Sequence, residues 1–239
     1  MEKSDARNYR TKLLYEMRVG RFADCSRLPR ETELAEMLSI SRTQLRDELS
    51  ELEREGYITR RHGVGTIINR HVLQVKNRMD IETEFFDIIR NCGYTPEILS
   101  VEVWEGTADA KVAEKLQIPL GTELLCKRSV CAADGKPVIC WVDVLDKGLV
   151  KHPCDIDAYQ VIVFDFLQEF CEVSVCMDLT ELHAVAADEM TAAALGVPVG
   201  TPLLNMEEVD FDIEGNPIFY SSQYFADGML SQTVLRKKL

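Results

Sequence analysis

The feature that most constrains the fold of this 239-residue sequence is an internal repeat in its second half. A segment that begins at Ala108 returns from Ala187, at an offset of 79 residues. Each copy reads as a short helix, a Pro-x-Gly-Thr turn, a strand, a Gly-x-Pro turn and another strand. The matched pairs are Ala108/Ala187, Ala113/Ala192, Leu116/Leu195, Pro119/Pro198, Gly121/Gly200, Thr122/Thr201, Leu124/Leu203, Leu125/Leu204 and, after one inserted residue, Gly135/Gly215 and Pro137/Pro217.

Two copies are too few for a solenoid, which needs at least about three repeats. The repeat therefore predicts an α+β domain with a pseudo-two-fold antiparallel sheet. Its strand runs, 123–132 and 202–213, mix apolar and polar residues, as a sheet with one wet or ligand-facing side does. Between the copies, Ile162, Phe166 and Phe170 recur at helical spacing and predict a buried helix over 158–170.

The charge of the chain is divided unevenly along its length. Residues 1–70 contain 14 Lys and Arg against 12 Asp and Glu, whereas residues 71–239 contain 13 against 28. An acidic body repels nucleic acid, so a nucleic-acid contact is expected only in the N-terminal part. With a polar stretch at 71–79, this predicts domains at 1–70 and 80–239, joined by a linker.

Neither a signal-peptide core nor an apolar run of the roughly 18 residues that a membrane helix needs is found, which predicts a cytoplasmic protein. The eight cysteines form no Cys-x-x-Cys pair and are expected to be free, mostly buried thiols. A metal site built from two cysteine pairs and His183 is the alternative, although the spacing matches no common zinc pattern. The two cysteine pairs of this alternative site are Cys126/Cys131 and Cys171/Cys176. No cofactor is predicted.

The most informative local pattern is a helix predicted over 42–55. Ser41 and Gln44 have the spacing of a capping box, and Gly56 provides a C-terminal stop. One face is apolar, with Leu45, Leu49 and Leu52 at helical spacing. The opposite side of the first turns is basic and suits phosphates or guanine edges, because a helix N-terminus attracts anions and Arg donates two hydrogen bonds. Its residues there are Arg42, Thr43 and Arg46.

The flanking segments complete a winged-helix pattern. Upstream, Leu34 and Leu38 mark a second short helix, which with the first predicts a helix-turn-helix. Downstream, 57–61 and 66–68 read as two strands around a Gly-rich turn, with Arg60, Arg61 and His62 as a basic wing. The alternative is a helical subdomain whose arginines are only solvated.

Residues 28–66 resemble the winged-helix domain of the GntR family of bacterial transcription regulators, through Ser-Arg-Thr-x-x-Arg and a Gly-x-Gly-Thr wing. The resemblance implies that the first turn of the 42–55 helix reads operator DNA. Arg30 and Thr32 depart from the family pattern of Ser and Arg. The predicted DNA-binding residues are Arg30, Thr32, Ser41, Arg42, Thr43, Gln44, Arg46, Arg61, His62, Gly63, Gly65 and Thr66.

The segments 132–139, AADGKPVI, and 214–227, EGNPIFYSSQYFAD, carry a second resemblance. Through them the C-terminal 160 residues resemble the UTRA ligand domain of the HutC-type branch, whose fold is similar to that of chorismate lyase. The resemblance implies a homodimer and a small effector, in many members anionic. The candidate effector residues are Arg128, Ser221, Tyr224 and Asp227. Tyr220 and Tyr224 are, alternatively, ordinary strand aromatics.

Together these patterns predict a non-enzymatic transcription regulator, acting as a repressor, that binds double-stranded operator DNA under the control of a metabolite. An enzyme is the first alternative, with His152 and His183 as candidate acid–base residues. A DNA-binding module whose C-terminal domain only dimerises is the second.

Overall fold

The computed structural model describes residues 2–152, 155–160, 162–226 and 228–237. It divides into two compact units. Unit 1 comprises Met1–Glu82 together with Gln232–Leu239, and unit 2 comprises Thr83–Ser231. The assignment of 232–237 to the effector domain is therefore wrong, because these residues return to the N-terminal unit.

Unit 1 is a winged helix-turn-helix. Its elements are α1 (Glu2–Arg18), α2 (Glu31–Leu38), α3 (Arg42–Arg54), β1 (Ile58–Arg61), β2 (Gly65–Ile68) and α4 (Arg70–Leu73). The apolar stripe predicted for α3 is fully buried, at 0–1% exposure. It packs in one core with Leu13, Met17, Leu34, Leu38 and Ile58.

Helix α3 begins and ends where its local sequence predicts. The Ser41 hydroxyl accepts the Gln44 N–H at 3.2 Å, while Gln44 Oε1 accepts the Ser41 N–H at 3.1 Å, which completes the capping box. Glu55 is the C-cap, and Gly56 follows with a φ of 85°, a conformation that glycine adopts without strain.

The wing is the antiparallel pair β1–β2, with Arg61 opposite Gly65. Residues 26–28 extend it, since the Leu28 N–H donates to the Thr66 carbonyl at 2.9 Å. This third segment has no strand signal in the sequence.

Residues 71–79 are not a free linker. Helix α4 covers the start of the segment, and Val72, Leu73, Asn77 and Arg78 are buried. The polar composition misled the prediction, because the buried polar side chains here are bonded within the unit instead of being solvated.

Unit 2 contains an antiparallel sheet with the strand order β3-β4-β5-β8-β7-β6. The strands are β3 (Pro96–Thr107), β4 (Glu123–Ala133), β5 (Lys136–Asp146), β6 (Met177–Ala186), β7 (Pro202–Phe211) and β8 (Pro217–Ala226). The helices are α5 (Phe85–Asn91), α6 (Ala110–Leu116), α7 (Val163–Phe166) and α8 (Glu189–Leu195), with 3-10 turns at Lys147–Leu149 and Ile156–Gln160.

The two sequence repeats adopt the same local structure. Asp109 and Asp188 cap α6 and α8 through hydrogen bonds from N–H groups three residues on, at 2.9 and 2.8 Å. The hydroxyls of Thr122 and Thr201 each donate to the proline carbonyl three residues earlier, at 2.7 Å. Each repeat thus provides two of the six strands, β4–β5 and β7–β8, and β5 pairs with β8 where the two repeats meet.

The helix predicted over 158–170 is broken. A 3-10 turn, α7 and a one-turn π-helix (Leu167–Cys171) replace it. Phe166 is buried, but Ile162 has an extended ψ of 134° and is 53% exposed. Neighbouring β-branched residues weaken helix formation at this point.

Candidate nucleic-acid interface and buried polar site

The first turn of α3 presents a polar surface to solvent. Arg42, Thr43, Gln44 and Arg46 are all exposed, because the Ser41 cap and the buried leucine stripe fix the rotation of the helix. Among the described residues, Arg42 has no carboxylate within 4.0 Å. Its guanidinium is therefore available to an anion or a base edge.

Arg46 is held in the unbound protein by a surface ion pair. Its Nε lies 2.7 Å from Glu31 Oε2, and the two side chains are 59% and 30% exposed. Exposed pairs of this kind stabilise a fold by only about 0–1 kcal/mol, so a phosphate or guanine can replace the carboxylate at small cost.

The other predicted residues border this surface. Arg30, which precedes α2 as its N-cap residue, and Thr32 in the first turn of α2 are exposed. Arg61, His62, Gly63 and Gly65 are exposed at the tip of the wing, and Thr66 is half-buried.

Two arginines differ from the expected pattern at the wing. Arg60 turns back to α3, where its Nε lies 2.7 Å from Glu53 Oε2 and its Nη2 donates to the Ser50 hydroxyl at 3.0 Å. Arg27 was not singled out, yet its Nη1 donates to the wing carbonyl of Val64 at 3.0 Å. It lies outside the motif, so no local signal identified it.

In unit 2, strand alternation separates the residues predicted to line one pocket. Arg128 and Tyr224 lie on the face of the sheet packed by α6 and α8, whereas Ser221 lies on the opposite face. Arg128 pairs with Glu102. The predicted grouping of these three residues is therefore wrong, and Asp227 lies outside the described residues.

The face that contains Ser221 holds a buried polar cluster. Lys127 Nζ lies 3.2 Å from Asp143 Oδ2, with side chains only 4% and 3% exposed. Asp143 also accepts the Ser221 hydroxyl at 2.9 Å and the Trp141 indole N–H at 3.1 Å. Burial raises the pKa of Asp143, while the Lys127 charge and these hydrogen bonds oppose that shift.

Further groups extend this cluster across the sheet. Glu208 accepts the Gln223 amide N–H at 3.2 Å and the Thr180 hydroxyl at 3.3 Å. Tyr159 is fully buried with its ring 4.7 Å from Lys127 Nζ, and its hydroxyl has no hydrogen-bond partner among the described residues. A buried polar atom without a partner is expected to meet a ligand or water.

The histidines form no buried acid–base pair in the described part of the chain. His152 is exposed and 3.0 Å from Glu172. His183 is exposed near Glu181 and Glu207, the three being close enough to share an ion, but Lys115 Nζ already lies 2.5 Å from Glu181 and 3.8 Å from Glu207.

No cysteine belongs to the group of potential metal ligands formed by Glu181, His183 and Glu207. Burial raises the pKa of the thiols of Cys126, Cys131 and Cys140 to about 11, as expected of inert core residues. Within the described ranges, no helix combines the length and apolarity needed to cross a membrane.

Comparisons with known proteins assign both halves of the chain. Residues 10–68 match the bacterial regulatory proteins of the gntR family, and residues 91–227 match the UTRA domain. The chain is 27% identical over 195 residues to the HTH-type transcriptional regulator Rv0792c of Mycobacterium tuberculosis, covering 80% of this chain and 71% of that protein. It is 25% identical over 232 residues to a probable fructoselysine utilization operon transcriptional repressor of Escherichia coli, covering 96% and 93%.

Solved structures agree on the fold. The possible transcriptional regulator YydK of Bacillus subtilis superposes with a TM-score of 0.76 at 17% identity, over 97% of this chain and 99% of that one. PhnF of Mycobacterium smegmatis superposes with a TM-score of 0.56 at 19% identity, over 97% and 99%. The two sequence relatives are named as transcriptional regulators, and the family is one of regulators and not of enzymes. The chain is a DNA-binding, metabolite-controlled transcription regulator of the GntR family, in the HutC-type branch with a UTRA domain.

Proposed function

We propose that this regulator reads its operator through Arg42, Thr43, Gln44 and Arg46, with Arg61 and His62 of the wing on adjacent phosphates. The observation that supports this most directly is the exposed basic first turn of α3 above a fully buried leucine stripe. A recognition helix commonly enters the major groove with its N-terminal residues. Arg30 and Thr32, at the start of α2, border the same surface. The protein then acts in the cytoplasm, where its operator is.

The test begins with duplexes selected from a random library by the wild-type protein. Arg42→Ala and Arg46→Ala are each expected to weaken binding of the selected duplex by about 1–3 kcal/mol and to relax its sequence preference. Arg18→Ala is the matched control, because Arg18 is an exposed arginine of the same unit that lies at the end of α1, outside the proposed interface. Equal affinities of all three variants would exclude this interface.

We propose that the effector binds against the buried cluster of Lys127, Asp143 and Ser221, where the Tyr159 hydroxyl and Glu208 provide further hydrogen bonds. An anionic effector group would meet Lys127, whose charge is already balanced by Asp143. Carboxylates outnumber ammonium groups here, which favours hydroxyl or amine groups on the ligand over a phosphate.

A melting screen over sugars, amino sugars, amino acids, sugar phosphates and fructoselysine tests this site. Lys127→Met is expected to abolish the shift caused by a hit, while Arg128→Met retains it, since the two neighbouring residues face opposite sides of the sheet. A shift lost only in Arg128→Met would reinstate the opposite face. If no compound shifts the melting temperature, the alternative of a purely dimerising domain is favoured.

We propose that the regulator is a homodimer that pairs through the edge strand β6. Met177, Leu179 and Leu182 on this strand are 59%, 63% and 49% exposed. An edge strand with apolar side chains is a template for pairing with a second copy. Light scattering should show a dimer that Leu179→Asp converts to a monomer, whereas Ile213→Asp, at a 76% exposed turn position, leaves it dimeric.

A further inference from the structure

The C-terminal segment Gln232–Lys237, here called the tail, forms part of unit 1. It runs beside residues 78–80. The Met79 N–H donates to the Thr233 carbonyl at 2.9 Å, and Arg78 and Thr233 form a parallel β-bridge. The Leu235 N–H donates to Asp80 Oδ1 at 3.3 Å. The backbone of the tail is thus held both by the backbone of residues 78–80 and by the Asp80 side chain.

One side chain of the tail reaches the C-terminal end of the recognition helix α3. Lys237 Nζ donates to the Glu53 carbonyl at 2.7 Å and also to the Arg54 carbonyl. Arg78 Nη1 donates to the next carbonyl, that of Glu55, at 2.5 Å. The last carbonyls of a helix lack partners within it, and cations there also interact favourably with the helix dipole.

Leu235 packs over the turn that follows α3. A Cβ placed on Gly56 would lie 2.6 Å from a Leu235 methyl carbon, so the tail closes directly over the backbone of this turn. Leu235 and Lys237 also line a cavity of about 450 Å³ with Arg54, Glu55, Arg78, Asp80 and Ile81. The tail therefore contacts α3, the turn that follows it and residues 78–80, and these contacts together fix the C-terminal end of α3.

We propose that the tail is a positioning element for operator binding, holding α3 from the end opposite its DNA-reading turn. Its connection to unit 2 makes it a means of control, which rests on the effector site proposed above. Strand β8 carries Ser221 of the buried cluster and ends at Ala226, and only residues 227–231 separate it from the tail. A change at β8 on effector binding can therefore reach α3 along one short covalent path.

A charge-matched pair of variants tests the proposal. Lys237→Ala and Arg236→Ala each remove one positive charge from the tail, but only Lys237 bonds the α3 carbonyls in the described structure. Measured far below the unfolding temperature, the Kd of Lys237→Ala for the selected duplex should be about fivefold higher than that of wild type, because two hydrogen bonds at the end of α3 are lost. Its amide hydrogen exchange over 51–58 should also accelerate, whereas Arg236→Ala should leave both near wild type.

Two further measurements separate positioning from other roles. The slope of log Kd against log salt should stay at the wild-type value in Lys237→Ala, because a residue that contacted phosphate would lower it by about one. Lys237→Arg should restore the wild-type Kd, and Leu235→Asp should raise the Kd more than tenfold.

Three results would overturn the proposal: equal behaviour of Lys237→Ala and Arg236→Ala, faster exchange without any change in Kd, or a reduced salt slope. Arg42→Ala and Arg46→Ala, measured in parallel, report separately on the proposed DNA interface. Binding of a compound found in the melting screen should change the rate of amide hydrogen exchange over 51–58 in wild type but not in Leu235→Asp.

Discussion

Each of the two units contains a pair of opposite charges at its proposed binding surface, and the two pairs lie in contrasting surroundings. Arg46–Glu31 in unit 1 is largely in water, whereas Lys127–Asp143 in unit 2 is almost fully buried. An exposed pair contributes little and is readily exchanged for another partner, while a buried pair cannot lose one member without leaving a desolvated charge. The first environment suits a surface that must release its carboxylate to bind DNA, and the second suits a preformed ligand site.

The largest effect should follow from breaking the buried pair. Lys127→Met leaves Asp143 buried without its cation and is expected to cost about 3–5 kcal/mol of unfolding free energy in unit 2. Both tryptophans of the chain, Trp104 and Trp141, lie in this unit, so urea unfolding followed by tryptophan fluorescence reports on it. Arg128→Met, which breaks a more exposed pair, should cost less than about 1 kcal/mol. Equal losses would show that burial does not distinguish the two pairs.

An intermediate effect is expected at Asp80, where the pKa shift has the opposite sign to that of Asp143. Burial raises the pKa of Asp80, but hydrogen bonds from Arg78 and from the Leu235 N–H outweigh it, so the net shift is downward. A lowered carboxyl pKa contributes stability above the unfolded value of about 3.9, and this contribution is lost as pH falls through the folded value.

Asp80→Asn should therefore weaken unit 1 at pH 7 by about 1.5–3 kcal/mol, the range for a hydrogen bond to a charged group. The difference from wild type should shrink as the pH is lowered below about 4. Hydrogen exchange in α3 measured between pH 3 and 7 checks this, and a difference that does not depend on pH would contradict it.

A smaller effect is expected at the start of the recognition helix. Ser41→Ala removes the acceptor for the Gln44 N–H and should lower the unfolding free energy by about 1 kcal/mol. Ser41→Thr keeps a capping hydroxyl and should lower it by only a few tenths of a kcal/mol. Exchange rates of the first amides of α3 provide the measurement. No difference between the two variants would mean that tertiary packing alone fixes this helix end.

The smallest effect should come from releasing Arg46. Glu31→Gln frees the guanidinium before DNA arrives and should tighten operator binding by up to about threefold. Glu33→Gln is the control, since it removes the same charge from an exposed position on the same helix. If both variants bind alike, the gain is only the loss of repulsion, and the Arg46–Glu31 pair has no special part.

The sequence by itself determined the features that depend on a few neighbouring residues. The capping box at Ser41, the leucine stripe, the glycine turn at the wing and the two capped repeats all follow from local hydrogen bonds and side-chain periodicity. The fold of each half could therefore be predicted, along with the exposed residues of the first turn of α3.

Only the tertiary structure decided which of two adjacent residues, Lys127 or Arg128, enters the buried cluster, and where the tail packs. Lys127 and Arg128 alternate across a strand, and the partners on the Lys127 side come from distant segments, since the hydrogen bond from Ser221 to Asp143 spans 78 residues. The bond from Lys237 to the Glu53 carbonyl spans 184 residues. No local pattern encodes such contacts, because their free energy arises only when distant segments are packed together.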